Sequence, residues 1–361
     1  MNEINSPKIS VIVLSYNFGK YIGECIESIV NQTLRPYKII IADDCSSDNS
    51  WEVIKKYESQ YPEIIKAFRH HKNMGVVYNS TFAKKNAMID SEYVSTIDGD
   101  DRWLSRKLEM EYAALKSNPN AGLAYSGYNF IDEQGKILLT YKHKCKELSS
   151  QDILVKTLSR TLFNGQGIFR NPLYKISTFE NMGFSDDKLE SWWDWDNAIR
   201  CCEKYIIAYS GDVYVEYRLN PTGMHTLDPI INYRTVKKIY EKYMYLIENN
   251  SNKDKIYIKC HIEKIILALQ CKYYPNNQEV CYSAKKVYER NKKDYDKLSN
   301  EDKAIIKADI YRLFAILNKI DGLQKMKNNE IGKAIKSLCM FAYYKAILLA
   351  SEIRREINDK K

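Results

Sequence analysis

Tyr93-Val94-Ser95-Thr96-Ile97-Asp98-Gly99-Asp100-Asp101 is the stretch on which the reading of this 361-residue chain turns. Its first five residues form a β-branched run of strand length, and three carboxylates within four residues follow at once. Like charges packed this closely repel and raise one another's pKa. A hard cation removes that cost, since Mg²⁺ or Mn²⁺ is held by one or two carboxylates with phosphate oxygens completing its shell. In an α/β sheet, ligands bind beyond the carboxyl ends of strands. The cluster therefore reads as a metal–diphosphate site, or else as a solvated acidic turn that caps the next helix.

The residues upstream supply a setting. Lys8–Leu14 is an apolar run suited to a buried first strand, followed by Ser15-Tyr16-Asn17 and a turn at Phe18-Gly19-Lys20. Tyr21–Gln32 has helical spacing, with Ile22, Cys25, Ile26, Ile29 and Val30 on one face. Lys38–Ala42 predicts a second strand that ends in Asp43-Asp44. Ser47 or Asp48 can cap a helix over Ser50–Gln60. A strand over Ile64–Phe68 and a helix over Tyr78–Ile89 complete the alternation, which argues for a largely parallel sheet with right-handed crossovers. Three strand ends then present Ser15-Tyr16-Asn17, Asp43-Asp44 and Asp98 to Asp101 on one sheet edge. A tyrosine can stack on a base, an aspartate can accept the imide N–H of uracil, and the last cluster can hold ribose and metal. No Gly-x-Gly-x-x-Gly or Walker-type loop occurs.

The order and spacing of Val11–Asn17, Ser28–Thr33, Ile41–Asp48 and Asp98–Asp101 resemble the family 2 glycosyltransferases, clearly from Lys8 to about Leu115 and thinly to about His225. The resemblance implies a GT-A fold and an inverting, nucleotide-sugar-dependent enzyme using Mn²⁺ or Mg²⁺. It implies that Ser15, Tyr16, Asp43, Asp44 and Asp98 face the nucleotide, with Tyr16 stacked on the base and Asp44 on its edge. Asp100 and Asp101 stand on the metal side, and which of them ligates directly stays open. Cys45, where the family usually has Gly or Asn, and Ser91, where Gly commonly precedes the Glu-Tyr pair, are departures.

Inverting transfer needs a base for the acceptor hydroxyl, as in inverting glycosidases. In the family an acidic residue opens a helix that carries an Arg a few residues on. Asp194, six residues before Arg200, fits that place, with Trp193 where the family has Glu. Asp196 and Glu190 are the fallbacks. Trp192, Trp193 and Trp195 could wall the base or stack on a sugar. They could equally lie in the core, with Asp194 and Asp196 favouring a helix N-terminus. Asn164, before a strand-like Ile168-Phe169-Arg170, is a candidate acceptor contact or a plain turn, and His225 a candidate diphosphate contact or a surface residue.

After Pro229 the texture becomes helical, with helices predicted over Ile230–Glu248, Lys255–Tyr273, Glu279–Tyr295, Glu301–Ile320 and Glu330–Ile357. The chain divides on this reading into a catalytic domain, residues 1–227, and an all-helical domain, residues 228–361. From residue 230 onward there are 28 Lys+Arg against 16 Asp+Glu, leaving 27 against 30 in residues 1–229. A basic tail suits peripheral contact with an anionic membrane surface. It equally suits packing on the head or on a second subunit. Lys336 and Lys345 interrupt the apolar Ala334–Leu349 run, which is then not a spanning segment. No nucleic-acid motif accompanies the lysines. Nine scattered cysteines without a Cys-x-x-Cys pair, and a short polar start, point to a cytoplasmic protein. The expected donor is a nucleotide-sugar, UDP-linked, and the expected acceptor a glycan or lipid-linked glycan of a bacterial surface polysaccharide. A nucleotidyltransferase lacks its Gly-rich basic loop here. A non-catalytic binding module of the same fold is the alternative.

Overall fold

A computed structural model describes residues 6–143, 148–163, 167–220, 229–273, 286–287, 289–290 and 293–303. The chain separates into two compact units, Met1–Thr157 with Thr161–Thr226, and Leu158–Arg160 with Leu227–Lys361.

The first unit is built on a mixed sheet. Strands β1 (Ile9–Ser15), β2 (Lys38–Asp43), β3 (Ile65–Arg69) and β4 (Tyr93–Asp98) form a parallel half in the order β3-β2-β1-β4. Helices α1 (Ile22–Val30), α2 (Ser50–Gln60) and α3 (Val76–Ala87) make the crossovers. These elements follow the sequence reading within a few residues. β1 is buried along its whole length, which explains its unbroken apolar run. α1 buries Ile22, Cys25, Ile26 and Ile29, the face its spacing predicts; each buried isoleucine is worth about 1.5–3 kcal/mol. Asn49, rather than Ser47 or Asp48, occupies the cap position of α2, but Asp48 Oδ1 accepts the Ser50 N–H at 3.0 Å and so serves the same helix end.

The chain adds β2 and β3 on one side of β1 and β4 on the other. Right-handed crossovers then put α3 on the face opposite α1 and α2, and the strand order reverses between β1 and β4. That reversal point is where open α/β sheets bind ligands.

The rest of the sheet departs from the largely parallel expectation. β6 (Ala121–Ile131) is antiparallel to β8 (Leu173–Lys175) and β7 (Ile137–Tyr141), and parallel to β9 (Ile206–Arg218); β5 (Arg102–Trp103) joins β9 antiparallel. α4 (Lys107–Ser117) packs on β6, β8 and β9, and α5 (Ser150–Ser159), α6 (Ile176–Met182) and α7 (Trp193–Lys204) follow. The strand expected at Ile168–Arg170 instead falls at Leu173–Lys175. Asn171 takes a positive φ of 43° and Pro172 has no N–H to donate, so pairing starts only after them.

In the second unit, the helix expected over Ile230–Glu248 is two, α8 (Pro229–Lys242) and α9 (Met244–Glu248), broken at Tyr243, whose ψ of 15° leaves the helical region. α10 (Asn252–Tyr273) packs on both, and Val236 and Ile239 of α8, Ile247 of α9 and Ile256 and Ile258 of α10 are buried. The later predicted helices lie largely or wholly outside the described residues, as does Ala334–Leu349. Among the described residues no helix is long and apolar enough to cross a membrane.

Candidate active site

The parallel register sets the site. Ser15 pairs with Asp43, and Leu14 with Asp98, so β1, β2 and β4 end at one level. Gly99 turns under this edge, where an added Cβ would sit 2.7 Å from Ile22 Cδ1 and 3.1 Å from the Leu14 carbonyl oxygen. That explains a glycine among the carboxylates.

The loops after β1 and β2 are laced together. The Asn17 N–H donates to Ser46 Oγ at 2.9 Å, and Asn17 Oδ1 accepts the Ser47 N–H at 2.8 Å. Phe18 N–H donates to Ser50 Oγ and Gly19 N–H to Asp48 Oδ2, both at 2.8 Å. Asn17 adopts a φ of 57°, a conformation asparagine tolerates. Tyr16 therefore stands on a fixed loop and is 44% exposed. Ser15 is buried, and its hydroxyl has no hydrogen-bond partner among the described residues.

Both aspartates of the second loop hold backbone. Asp43 is fully buried, accepts the Ser46 N–H at 3.0 Å and its hydroxyl at 2.5 Å, and lies 3.5 Å from Arg69 Nε. Asp44 accepts the Met74 N–H at 2.7 Å and the Gly75 N–H at 2.9 Å, which anchors the loop leading into α3. Each carboxylate oxygen of Asp44 keeps a second lone pair for a ligand.

The acidic cluster is electrostatically unfavourable. Burial, then Asp100, pushes the Asp98 carboxyl up to about 7. Burial pushes Asp100 up to about 6, against the Asn220 hydrogen bond and the Arg218 charge. Burial, then Asp100 and Asp98, holds Asp101 well above the usual carboxylate range. Arg218 braces the turn: its N–H donates to Asp101 Oδ1 at 2.8 Å and its Nε to the Asp100 carbonyl at 2.7 Å. Its other nitrogens reach the Asp132 and Glu133 carbonyls and Glu24. Asn220 Nδ2 donates to Asp100 Oδ2 at 3.3 Å. Asp101 Oδ2 is buried and accepts no hydrogen bond among the described residues. Among those residues no group of three or more His, Cys, Asp or Glu side chains converges into a ready-made metal cage. An orphaned carboxylate oxygen beside two others of raised pKa nevertheless fits a hard cation that takes most of its shell from phosphate and water.

Asp194 lies in the first turn of α7, which Trp192 enters at a φ of 57°. Its Oδ1 accepts the Trp195 N–H at 2.9 Å, and its Oδ2 accepts from Arg170 Nη1 at 2.9 Å. The side chain is one-third exposed. Asp194 acts electrostatically on Asp98, and Arg170 on both Asp98 and Asp101, so the candidate base and the acidic cluster share one field. Asp196, the fallback, is fully buried and paired with Arg200 Nε at 3.0 Å; Arg200 in turn donates to the carbonyls of Met182, Gly183 and Phe184. That places Asp196 in a structural clasp. Glu190 is exposed.

The tryptophans separate. Trp195 is 0% exposed and donates Nε1–H to the Thr157 carbonyl at 2.7 Å. Its indole is core, which corrects the idea that it faces a sugar. Trp192 and Trp193 are half-buried and keep part of their surface open. Asn164 and His225 lie outside the described residues. Neither Arg170 nor Arg218 is among the candidate site residues of the sequence analysis, although lone arginines in apolar strand-like runs are a usable signal for buried pairing.

Residues 10–192 match the family model of glycosyl transferase family 2, ending two residues short of Asp194. The uncharacterized glycosyltransferase MJ1057 of Methanocaldococcus jannaschii is 28% identical over 225 residues, 61% of this chain and 72% of that protein. A Bacillus subtilis protein with the provisional name teichuronic acid biosynthesis glycosyltransferase TuaG is 29% identical over 152 residues, 42% of this chain and 59% of its own length. Glycosyltransferase GlyG of Streptococcus pneumoniae is 29% identical over 192 residues, 51% of this chain and 62% of its own. The chain thus matches less than two thirds of TuaG and of GlyG. Among solved structures, residues 1–349 of Staphylococcus aureus TarS superpose with a TM-score of 0.53 at 17% identity, covering 94% of this chain and 91% of that one. TarS has also been solved with UDP-GlcNAc. At that identity the likeness is one of fold, a GT-A-type sheet flanked by helices. The chain belongs to glycosyl transferase family 2.

Proposed function

We propose that the chain is a metal-dependent, inverting glycosyltransferase that moves a sugar from a nucleoside-diphosphate donor, UDP-linked, to a hydroxyl of a surface-glycan acceptor. The observation that carries this is the common level of three strand ends, which gathers Ser15, Tyr16, Asp43, Asp44 and Asp98 to Asp101 at the point where strand order reverses. TarS, which has been solved with UDP-GlcNAc, supports the donor class, and TuaG the polysaccharide setting.

In this reading Tyr16 stacks on the base and Asp44 accepts from its edge. Asp98 takes the ribose. Asp100 and Asp101 would hold Mn²⁺ or Mg²⁺, which as a Lewis acid would lower the cost of the departing diphosphate's charge. The acceptor oxygen attacks the anomeric carbon on the face opposite the diphosphate. Asp194 takes the proton as the new C–O bond forms and the bond to the β-phosphate oxygen breaks. Trp192 and Trp193, partly open beside Asp194, offer apolar surface to a sugar ring.

Asp194→Asn separates an enzyme from a binding module. The variant is expected to bind UDP and to release no nucleoside diphosphate from a UDP-sugar in the presence of a lipid-linked glycan extract that supports wild-type release. Undiminished release would remove Asp194 from the chemistry. The basic helical unit is proposed as a peripheral contact with anionic lipid, and absence of cosedimentation with anionic vesicles at low salt would remove that role.

A further inference from the structure

Arg170 does more than its sequence context suggests. Its guanidinium lies with its centre 4.6 Å from the Tyr217 ring centroid and makes a single-toothed contact, Nη1 to Asp194 Oδ2 at 2.9 Å. Its Nε is buried and donates to nothing among the described residues. A guanidinium has five N–H donors in a rigid fork that matches carboxylate or phosphate two bonds at a time. Here the fork is largely unspent, beside Asp98 and Asp101, on which its charge acts. Asp194, for its part, accepts from this one cation at 2.9 Å.

We propose that Arg170 is a shared anion receptor: the guanidinium that pairs with Asp194 also receives the donor's diphosphate, so that a bound donor loosens its hold on the base. This rests on the nucleotide-sugar reading above. The Tyr217 ring, its centroid 4.6 Å from the guanidinium centre, helps hold the cation in place, and the unpartnered Nε is a donor that Asp194 does not use. Two anions then compete for one cation, and by reciprocity whatever removes the Asp194 charge must tighten diphosphate binding through Arg170. Arg170 is a positioning residue for the base and a contact for the leaving group.

The test is a calorimetric cycle on the full chain with UDP and Mn²⁺, using wild type, Arg170→Gln, Asp194→Asn and the double variant, with uridine as a phosphate-free control. Arg170→Gln is expected to weaken UDP at least about tenfold, the scale of a lost charge-assisted bond, and to leave uridine unchanged. Asp194→Asn is expected to tighten UDP several-fold, and to have no such effect once Arg170 is glutamine. Equal UDP affinity in wild type and Arg170→Gln, or equal tightening in both backgrounds, would overturn the proposal. If wild type binds no nucleoside diphosphate, the functional reading itself fails, which is a different result. Should Arg170→Gln not fold, Arg170→Lys keeps the charge and loses the fork; it is expected to fall between wild type and the loss predicted for glutamine, and wild-type affinity would count against the proposal.

Discussion

Lys84→Met is expected to make the protein more stable, and increasingly so toward neutral pH. Lys84 lies in α3, 2% exposed, with Nζ 3.4 Å from Ser185 Oγ and 5.1 Å from the Phe179 and Trp193 ring centroids. Among the described residues no carboxylate is paired with it. Burial, then repulsion from Arg200, lowers its pKa from 10.5 to about 7. The folded form thus gives up a proton that the unfolded chain retains between about pH 7 and 10.5. In that window the unfolded state binds more protons, so stability rises with pH, by ~1.4 kcal/mol per pH unit and ~5 kcal/mol in all. Below about pH 7 both states are protonated and the whole cost is present. The two rings return ~1–2 kcal/mol to the charged amine. Methionine has similar length, no charge and adaptable packing. The expected gain is therefore ~2–4 kcal/mol at pH 7, shrinking toward zero near pH 10. Chemical denaturation of both proteins at pH 7, 8 and 9 reads it directly. Taking the difference between the two cancels the titration of the buried thiols Cys25, Cys201 and Cys202, whose pKa values are raised. A difference that does not change with pH, or a variant less stable at pH 7, would refute the reasoning.

Other perturbations follow from the same geometry. Asp44→Ala leaves the Met74 N–H without its acceptor and the Gly75 N–H with Asn73 Oδ1 alone, and should cost ~1–3 kcal/mol in denaturation experiments; a loss under ~0.5 kcal/mol would mean the loop is held otherwise. Asp101→Asn relieves buried repulsion, so the metal-free melting temperature should hold or rise while the Mn²⁺-induced shift disappears in a scanning melt. Trp195→Phe removes the bond to the Thr157 carbonyl and should destabilise by ~1–3 kcal/mol without changing donor affinity in titration.

Much of the first unit could be read from residue order because its signals are local. The apolar run of β1, the helical spacing of α1 and the carboxylates after β4 each announce themselves within about ten residues, and parallel pairing then brings three distant loops to one level. The later strands could not be placed the same way. β8 is three residues long, and Asn171-Pro172 shifts it away from the more apolar Ile168-Phe169. The break at Tyr243 is equally invisible, since nothing there is a helix breaker. Charges buried by tertiary contact were the least legible. Lys84, and Lys107 with its buried partner Glu111 at 3.0 Å, look like ordinary helix-surface residues in sequence. Arg170 meets Asp194 across 24 residues, a proximity that only the folded chain supplies.

The most direct test is to titrate the full chain with UDP, GDP and CMP, with and without Mn²⁺, alongside Asp100→Ala. The site described above requires UDP binding that depends on Mn²⁺ and is lost in the variant. Preference for GDP would keep the site and change the donor. Wild-type protein that binds no nucleotide under either condition would contradict it, leaving Asp98 to Asp101 a buried acidic turn with no ligand.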